Sequence, residues 1–424
     1  MHKALTTAIA IAALLQSPLR GQDHSHDHTH FDRSTAIAHA LEYNKDLIAA
    51  RLAMQRAEAR LQATGIAPNP SLQIEYADDL LFNDEGEGSF GIGISQQFPL
   101  AGKLAKQKAL TRFDIDLAHL EVRSQELKLA QSIYDFALDI HLVDTRSAHL
   151  SQLRNALQET TAFAETKAST GEISPLDARQ FKLELRILEQ QIESLRIERE
   201  RLIHQLAPLL GQHSSEHFSF DASNALPYPD NQIPGYTPEV LERIPAYQFA
   251  LIQEKAAEAK VTLAQAENWD ALTASIFWKN EKGVDQPIGR TSDHILGVSF
   301  SIPLPLRKKG DLSAHEHRLS RDQSRLNAAA IRFRIQNEIE HARHEATITR
   351  SRMEDYRSSV ILFAAEQLDQ LRQAYQNGQT DMLTLLRAQQ QRVSLENGYL
   401  EIYEEFAHAL VELELARVDI AELQ

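Results

Sequence analysis

Four histidines stand at alternate positions, His24, His26, His28 and His30, interleaved with Asp23 and Asp27. Imidazole nitrogens suit zinc, copper, nickel and cobalt, and short His-rich tracts are a metal-binding composition. In an extended chain alternate residues share one side, so two or three of these rings can reach one ion. That pattern predicts transient binding of Zn, Cu, Co or Ni; the competing reading is a solvated polar tail. The other constellations are weaker. His341 and His344 share a helix face, but Glu338, Glu340, Arg343 and Glu345 surround them and make a salt-bridged solvent face. His315 and His317, two apart on a helix, do not share a face. The run GEGSFG, Gly86 to Gly91, fits G-x-G-x-x-G by letter, yet it leads into an alternating strand and is no phosphate loop. No H-E-x-x-H, G-x-S-x-G or P-loop is present, and no acid, base and nucleophile stand out together. The chain reads as a non-enzyme with no catalytic residues and no resident cofactor.

The frame around these residues is helical. The chain of 424 residues has only 16 Gly and 14 Pro, where an ordinary chain carries roughly 12% of the two together. So few breakers exclude a β-sandwich, a propeller or a loop-rich enzyme. The absence of cysteine excludes a disulfide scaffold, a Cys-ligated metal, a thiol nucleophile and an acylated N-terminal Cys. A net charge of −15 argues against nucleic acid as a partner. Residues 1–22 pair an early Lys3 with an apolar run from Ala4 to Leu15. That run is shorter than the ~20 residues of a membrane helix and has the form of a secretory signal peptide; a buried N-terminal helix is the alternative. A His-rich segment, 23–32, follows.

The rest is an internal repeat, a first copy over 33–210 and a second over 239–421. Ala50, Ala57, Glu58 and Ala59 correspond to Ala250, Ala257, Glu258 and Ala259; Gly93, Ser95, Pro99 and Leu100 to Gly297, Ser299, Pro303 and Leu304; Gly171 to Gly378. The offset drifts from 200 to 204 to 207. Residues 211–238 hold four prolines and read as an irregular linker. Each half runs helix, strand, strand, long helix, helix. No proline interrupts 101–174 or 306–424, and a helix from about Lys103 to Ser169 would be roughly 100 Å long. Phe181, Leu185, Leu188, Ile192 and Leu195 step by four and three, with Leu202 seven farther on, while Leu312, Leu319, Leu326 and Phe333 step by seven. Such a seam predicts helices packed along one another as coiled coils. The helices turn back at Gly171 and Gly378, where Gly can take the left-handed cap. Ser174, and Thr380 or Asp381, can then cap the return helices.

Four segments, near 71–78, 90–98, 271–279 and 295–302, alternate instead. Leu72 and Ile74, Ile92 and Ile94, Ile276 and Trp278, and Leu296, Val298 and Phe300 alternate with small or polar residues, Phe277 being the exception. This length and period are those of membrane β-strands; two soluble hairpins on a core are the alternative. Four strands cannot close a barrel, and an open edge cannot stand in lipid. Two or more chains must therefore combine, and three would give twelve strands.

A signal peptide, a duplicated strand–strand–long-helix unit, a proline at each strand-to-helix junction (FPLAGK, IPLPLRKKG) and a Gly-centred hairpin in each half together resemble the TolC family of outer-membrane efflux channels. The resemblance covers nearly the whole chain after Phe31. It implies a mainly α fold with a transmembrane β-barrel portion: a homotrimer whose twelve-stranded barrel continues as an α-helical periplasmic tunnel. It implies a passive duct in the outer membrane of a Gram-negative-type bacterium, its helices in the periplasm. The partners implied are outer-membrane lipid, a periplasmic adaptor (membrane fusion) protein and an inner-membrane pump of the RND type. By the same resemblance Gly171, Ser174, Asp177, Gly378, Thr380 and Asp381 sit at the tip that meets the adaptor and closes the tunnel. Thr384 and Arg387 stand where members often place gating carboxylates. Asp177 and Asp381 are then the nearest acids, and a plain first-turn role suits them equally. The His tract tilts the reading toward the heavy-metal cation branch (CzcC- or CusC-like). Drug efflux or type I secretion through the same architecture is the alternative, and an exported coiled-coil scaffold without a pore is the rival of another class.

Overall fold

Proline and glycine fall where one element gives way to the next, so the breaker-poor stretches emerge as single long helices. The structure, a computed structural model, describes residues 29–79, 86–212, 218–225, 233, 239–285, 287–304, 306 and 309–415. The signal-like segment 1–22 and His24, His26 and His28 lie outside them. The first repeat comprises β1 (Thr29–Phe31), α1 (Arg33–Tyr43), α2 (Lys45–Ala63), β2 (Ser71–Asp78), β3 (Gly88–Pro99), α3 (Lys103–Ser169) and α4 (Pro175–Leu206). After β4 (Phe218–Phe220), the second comprises α5 (Glu239–Arg243), α6 (Pro245–Ala266), β5 (Ala271–Asp285) and β6 (Gly289–Ser301). Its long helix runs as α7 (Lys309–Asp355), a π-helical turn (Tyr356–Ile361) and α8 (Leu362–Gln376), and α9 (Met382–Leu415) returns.

The helices pack side by side as a wall rather than around one bundle core. α3 packs on α2 and α4 on one side and on α6 and α9 on the other, and α7 packs on α6 and α9. The four long strands form one antiparallel sheet in the order β2-β3-β5-β6. The two layers therefore end alike: β2 lies on the side of α2 and α4, and β6 on the side of α7 and α8.

At mid-length of α3, well away from the sheet, a belt of core crosses the wall. Phe31, Ile37, Leu41, Ile133, Leu138, Ile140, Leu206 and Phe220 are all buried there in one cluster. Asn44 fixes its geometry. Its side chain caps α2, accepting from the Leu47 N–H at 3.0 Å, and donates to the Leu209 carbonyl at 3.1 Å. His141 links two elements in the same belt, touching the Ala222 carbonyl and the Tyr403 hydroxyl at 3.0 Å each. Burial pushes the Tyr403 phenol up to about 12, so it stays protonated.

Two expectations need correction here. The linker is not wholly irregular, because β4 pairs in parallel with β1, Phe31 opposite Phe220. The end of the His-rich segment is accordingly a strand and not a free tail. The seam at Leu312, Leu319, Leu326 and Phe333 does not pack against a neighbouring helix of the same chain: these residues are 59–76% exposed. The inward positions of α7 go to Ala314, which packs on the small Val261 and Ala264 of α6, and farther along to Ile335, Ile339 and Ala342, which pack with Leu241 and Leu413. Small residues let the two helices approach closely, and the large side chains are left on the free side.

The drift in repeat offset also has a structural account. From the junction proline to the first helical residue takes four steps in the first repeat (Pro99 to Lys103) and six in the second (Pro303 to Lys309). The long helix has 67 residues in the first and spans 309–376 in the second, one more. That extra residue is taken up by the π-helical turn at 356–361, since such a turn accommodates a single insertion within an α-helix.

Candidate functional site

The sheet brings the alternating residues into continuous rows. Leu72, Ile94, Ile276 and Val298 stand opposite one another across all four strands, and Ile74, Ile92, Trp278 and Leu296 form the next row. Phe300 extends this face opposite Ala274. Leu72, Val298 and Leu296 are 63, 62 and 75% exposed, so this apolar face covers no core among the described residues. Two soluble hairpins seated on a core do not fit that arrangement. The other face carries Ser71, Ser95, Ser275 and Ser299 in one row and Gln73, Gly93, Phe277 and Gly297 in another. Phe277, the exception to the alternation, has its ring over Gly297, where a Cβ would lie 2.4 Å from Cζ. Gly93 flanks it on the other side, with a Cβ position 3.0 Å from the Phe277 Cβ. Two glycines thus make room for one aromatic ring on the small-residue face, a pairing that also protects glycine backbone in strands.

At the far end of the wall the two hairpins turn alike. Gly171 and Gly378 have φ of 78° and 70°. Each closes its helix with the same pair of bonds, Gly171 N–H to Ala168 O and Glu172 N–H to Lys167 O, then Gly378 N–H to Tyr375 O and Gln379 N–H to Ala374 O. Ser174 starts α4 by accepting from the Leu176 N–H at 3.2 Å, with Pro175 as the first helical residue. Of the two candidates at the second tip it is Asp381 that caps, accepting from the Thr384 N–H at 2.8 Å and the Thr384 hydroxyl at 3.1 Å. These bonds hold the Asp381 carboxyl below its usual range. Thr380 makes no such bond among the described residues. Asp177 occupies the first turn of α4. Phe163 and Phe181 meet Tyr375 at 6.2 and 5.9 Å, tying the tips into one unit. Replacing Ser174 by Ala is expected to cost about 1 kcal/mol and to fray the start of α4. Faster amide exchange confined to 175–179 would show it; unchanged exchange would mean that Pro175 alone fixes the start.

Two features of the wall carry no local sequence signal. A groove of about 720 Å3 between α4 and α9 is lined by Ile187, Leu188, Gln191, Leu386, Gln389 and Val393. The buried Gln389 Oε1 has no hydrogen-bond partner there. Nearer the belt, Asp135 and Asp139 of α3 lie half-buried beside His408 and Glu404 of α9. Burial raises both carboxyls above their usual range, and His408 opposes the shift. A raised folded value means that the folded state holds these protons more tightly than the unfolded chain does. Their contribution therefore favours folding at acid pH and is lost as pH rises through the raised values. Asp135→Asn with Asp139→Asn should make the chain more stable at neutral pH and flatten its stability between neutrality and the carboxylate range. Parallel melting curves across pH for variant and parent would contradict this.

The proposed metal tract is only partly in view. His30 lies in β1 with Nδ1 2.8 Å from the Ser219 hydroxyl, and no group of three His, Cys, Asp or Glu that could hold a metal exists among the described residues. No helix among them is long and apolar enough to cross a membrane.

Residues 36–212 match the family model described as outer membrane efflux protein. The match spans most of the first repeat and none of the second. The fold around it is shared more widely. The channel CusC, solved for its folding and transmembrane channel formation, superposes with a TM-score of 0.71 at 18% identity, covering 91% of each chain. The CmeC outer membrane channel of Campylobacter jejuni gives 0.68 at 15% identity, over 92% of this chain and 88% of that one. The open MtrE outer membrane channel of Neisseria gonorrhoeae gives 0.68 at 16%, over 91% and 88%. Among curated protein sequences nothing matches significantly. A chain whose first repeat matches that family model thus has, over about nine-tenths of its length, the fold of these outer membrane channels.

Proposed function

We propose that three copies of this chain close into a twelve-stranded outer-membrane barrel continued by a helical tunnel, a passive exit duct for efflux. The observation that carries this reading is the pair of unfilled edges. β2 with α2 and α4 ends one side of the protomer, β6 with α7 and α8 ends the other, and strand edges cannot remain open in lipid. Joining β6 of one copy to β2 of the next pairs every strand. It also sets the exposed Leu312, Leu319, Leu326 and Phe333 of α7 against the exposed Ile48 and Leu52 of α2. Such head-to-tail contacts make a closed ring when the rotation per copy fits. In that ring Leu72, Ile74, Ile92, Ile94, Ile276, Trp278, Leu296, Val298 and Phe300 face lipid, and the serine and glycine rows line the bore.

The partners belong to the same reading. The tips around Gly171, Ser174, Asp177, Gly378, Thr380 and Asp381 meet a periplasmic adaptor, and the groove between α4 and α9, half polar and half apolar, gives a helical partner a slot on the same part of the wall. An inner-membrane pump supplies the energy, because the chain has no chemistry of its own. Heavy-metal cations are the proposed cargo, supported by His24, His26 and His28 with their interleaved acids. Purified protein in a planar bilayer tests the duct: stepwise conductance from a trimer is expected, and a folded trimer that never conducts, even with its tips loosened, defeats it. The cargo is tested separately with a deletion strain. Greater sensitivity to zinc, copper or cobalt is expected, and unchanged metal tolerance with altered drug sensitivity would reassign it to drug efflux.

A further inference from the structure

The collar where the sheet joins the helices has a charge of its own. On a chain of net charge −15, residues 99–112 carry Lys103, Lys106, Lys108 and Arg112 and no acid, and residues 302–312 carry Arg307, Lys308 and Lys309 against Asp311. The opposite rim leans the other way: in sequence, residues 78–87 carry Asp78, Asp79, Asp84, Glu85 and Glu87 and no base, and residues 281–290 carry Glu281 and Asp285 against Lys282 and Arg290. Fold and charge converge at one place. Lys103 from the first junction and Lys309 from the second line a single cleft of about 650 Å3 together with Leu304 and Leu306. Those leucines are 72 and 85% exposed, apolar side chains directly beyond the strand ends. Glu267 and Asp270 line the same cleft, yet among the described residues Lys103, Lys106, Lys108 and Lys309 form no ion pair. Arg196, Arg201 and Arg321, elsewhere on the helices, each hold a carboxylate within 4 Å.

Unpaired ammonium groups beside exposed leucines, at the level where an apolar band ends, match one kind of occupant. An anionic phospholipid presents a phosphate to the lysines and its first methylenes to the leucines. A free phosphate satisfies only the first of these, and a zwitterionic lipid adds a cation that the lysines repel. We infer that this collar binds anionic phospholipid headgroups of the leaflet on the helix side, and so sets the depth and sidedness of the barrel. The inference rests on the barrel reading above. Basic residues near an anionic membrane surface each raise affinity about five-fold, and closure of three copies would repeat the cleft three times around the ring.

The test uses the full chain in detergent, offered phosphatidylglycerol, phosphatidylcholine or inorganic phosphate. Lipid retained in native mass spectrometry and the shift in melting temperature are read. Phosphatidylglycerol should be retained and should raise the melting temperature; phosphatidylcholine and phosphate should do neither. Lys103→Gln with Lys309→Gln should weaken phosphatidylglycerol binding about 25-fold, at five-fold per lysine, with bilayer conductance kept. Lys103→Arg with Lys309→Arg should restore the binding, which separates lost charge from lost folding. Equal retention of phosphatidylglycerol and phosphatidylcholine, or undiminished binding in the Gln variant, overturns the inference while conductance leaves the barrel standing. Absence of conductance in every lipid overturns both.

Discussion

Val298→Arg is expected to abolish assembly in the membrane, whereas Ser299→Arg, one residue along, is expected to assemble and change the ion selectivity of the pore. Val298 stands in the row with Leu72, Ile94 and Ile276, and Ser299 in the row with Ser71, Ser95 and Ser275. A cation on the lipid face of a barrel costs about 2–4 kcal/mol near the midplane. Closure of three chains repeats that cost three times, enough to outweigh the margin of an ordinary fold. The same charge in a water-filled bore keeps its hydration. Membrane fractionation with sizing of the extracted protein measures the difference. Equal assembly of the two variants would mean that the apolar rows do not face lipid and would favour the pore-less scaffold.

The second large effect is expected at Gly310. It begins the second repeat's long helix beneath β6, and a Cβ there would lie 2.4 Å from the Ala264 carbonyl oxygen and 2.8 Å from Asn268 Oδ1. The Gly310 N–H donates to that same Asn268 oxygen at 2.8 Å, while the Asn268 amide donates to Asp311 at 2.7 Å. Gly310→Ala must therefore part α6 from α7 and break the bond that caps α7. Overpacking of this kind costs about 1–3 kcal/mol. The predicted signature is a lower melting temperature with faster amide exchange over 256–266. Adding Asn268→Ala should not rescue it, because the obstructing Ala264 oxygen is backbone. A Gly310→Ala protein as stable as the parent would show that the two helices can separate there without loss.

These two sites differ in how far the sequence disclosed them. The rows containing Val298 follow from alternation, because a two-residue period allows one register for each face. The clash at Gly310 cannot be read from its neighbours in sequence, since Ala264 is brought to it by the path of β5 and β6. The same division runs through the molecule. Lys103–Ser169 is legible because Pro99 and Gly102 precede it, Gly171 follows it, and nothing between breaks a helix. β5 extends to Asp285, six residues past its alternating part, because Lys282 pairs with Ser292 along the hairpin without regard to hydrophobicity. The β1–β4 pair joins residues 189 apart and has three residues a strand, too short for any pattern to announce it. At the tips the two glycines and Ser174 were legible as punctuation, and only the bonds from Thr384 separate Asp381 from Thr380 as the cap. The half-buried acids at Asp135 and Asp139 depend on α9 arriving from the other repeat, which no local spacing records.

The π-helical turn has a consequence for which side of the wall a residue meets. Counting on by sevens from Leu312, Leu319, Leu326 and Phe333 passes through the polar Glu340, Thr347 and Glu354 and returns to large side chains at Ile361, Leu368 and Tyr375, yet the first four are exposed and the last two are 6 and 9% exposed. A strict heptad slips about 20° per repeat around a straight α-helix, roughly 100° over the five repeats from Phe333 to Leu368. One residue absorbed without advancing the helix removes about 100° more, the rotation of a single residue. The two add to about half a revolution. Drift and inserted residue together exchange the outer and inner faces of a continuous column, so that positions of one seven-residue register are exposed near the sheet and buried in the chain's own core at the tip.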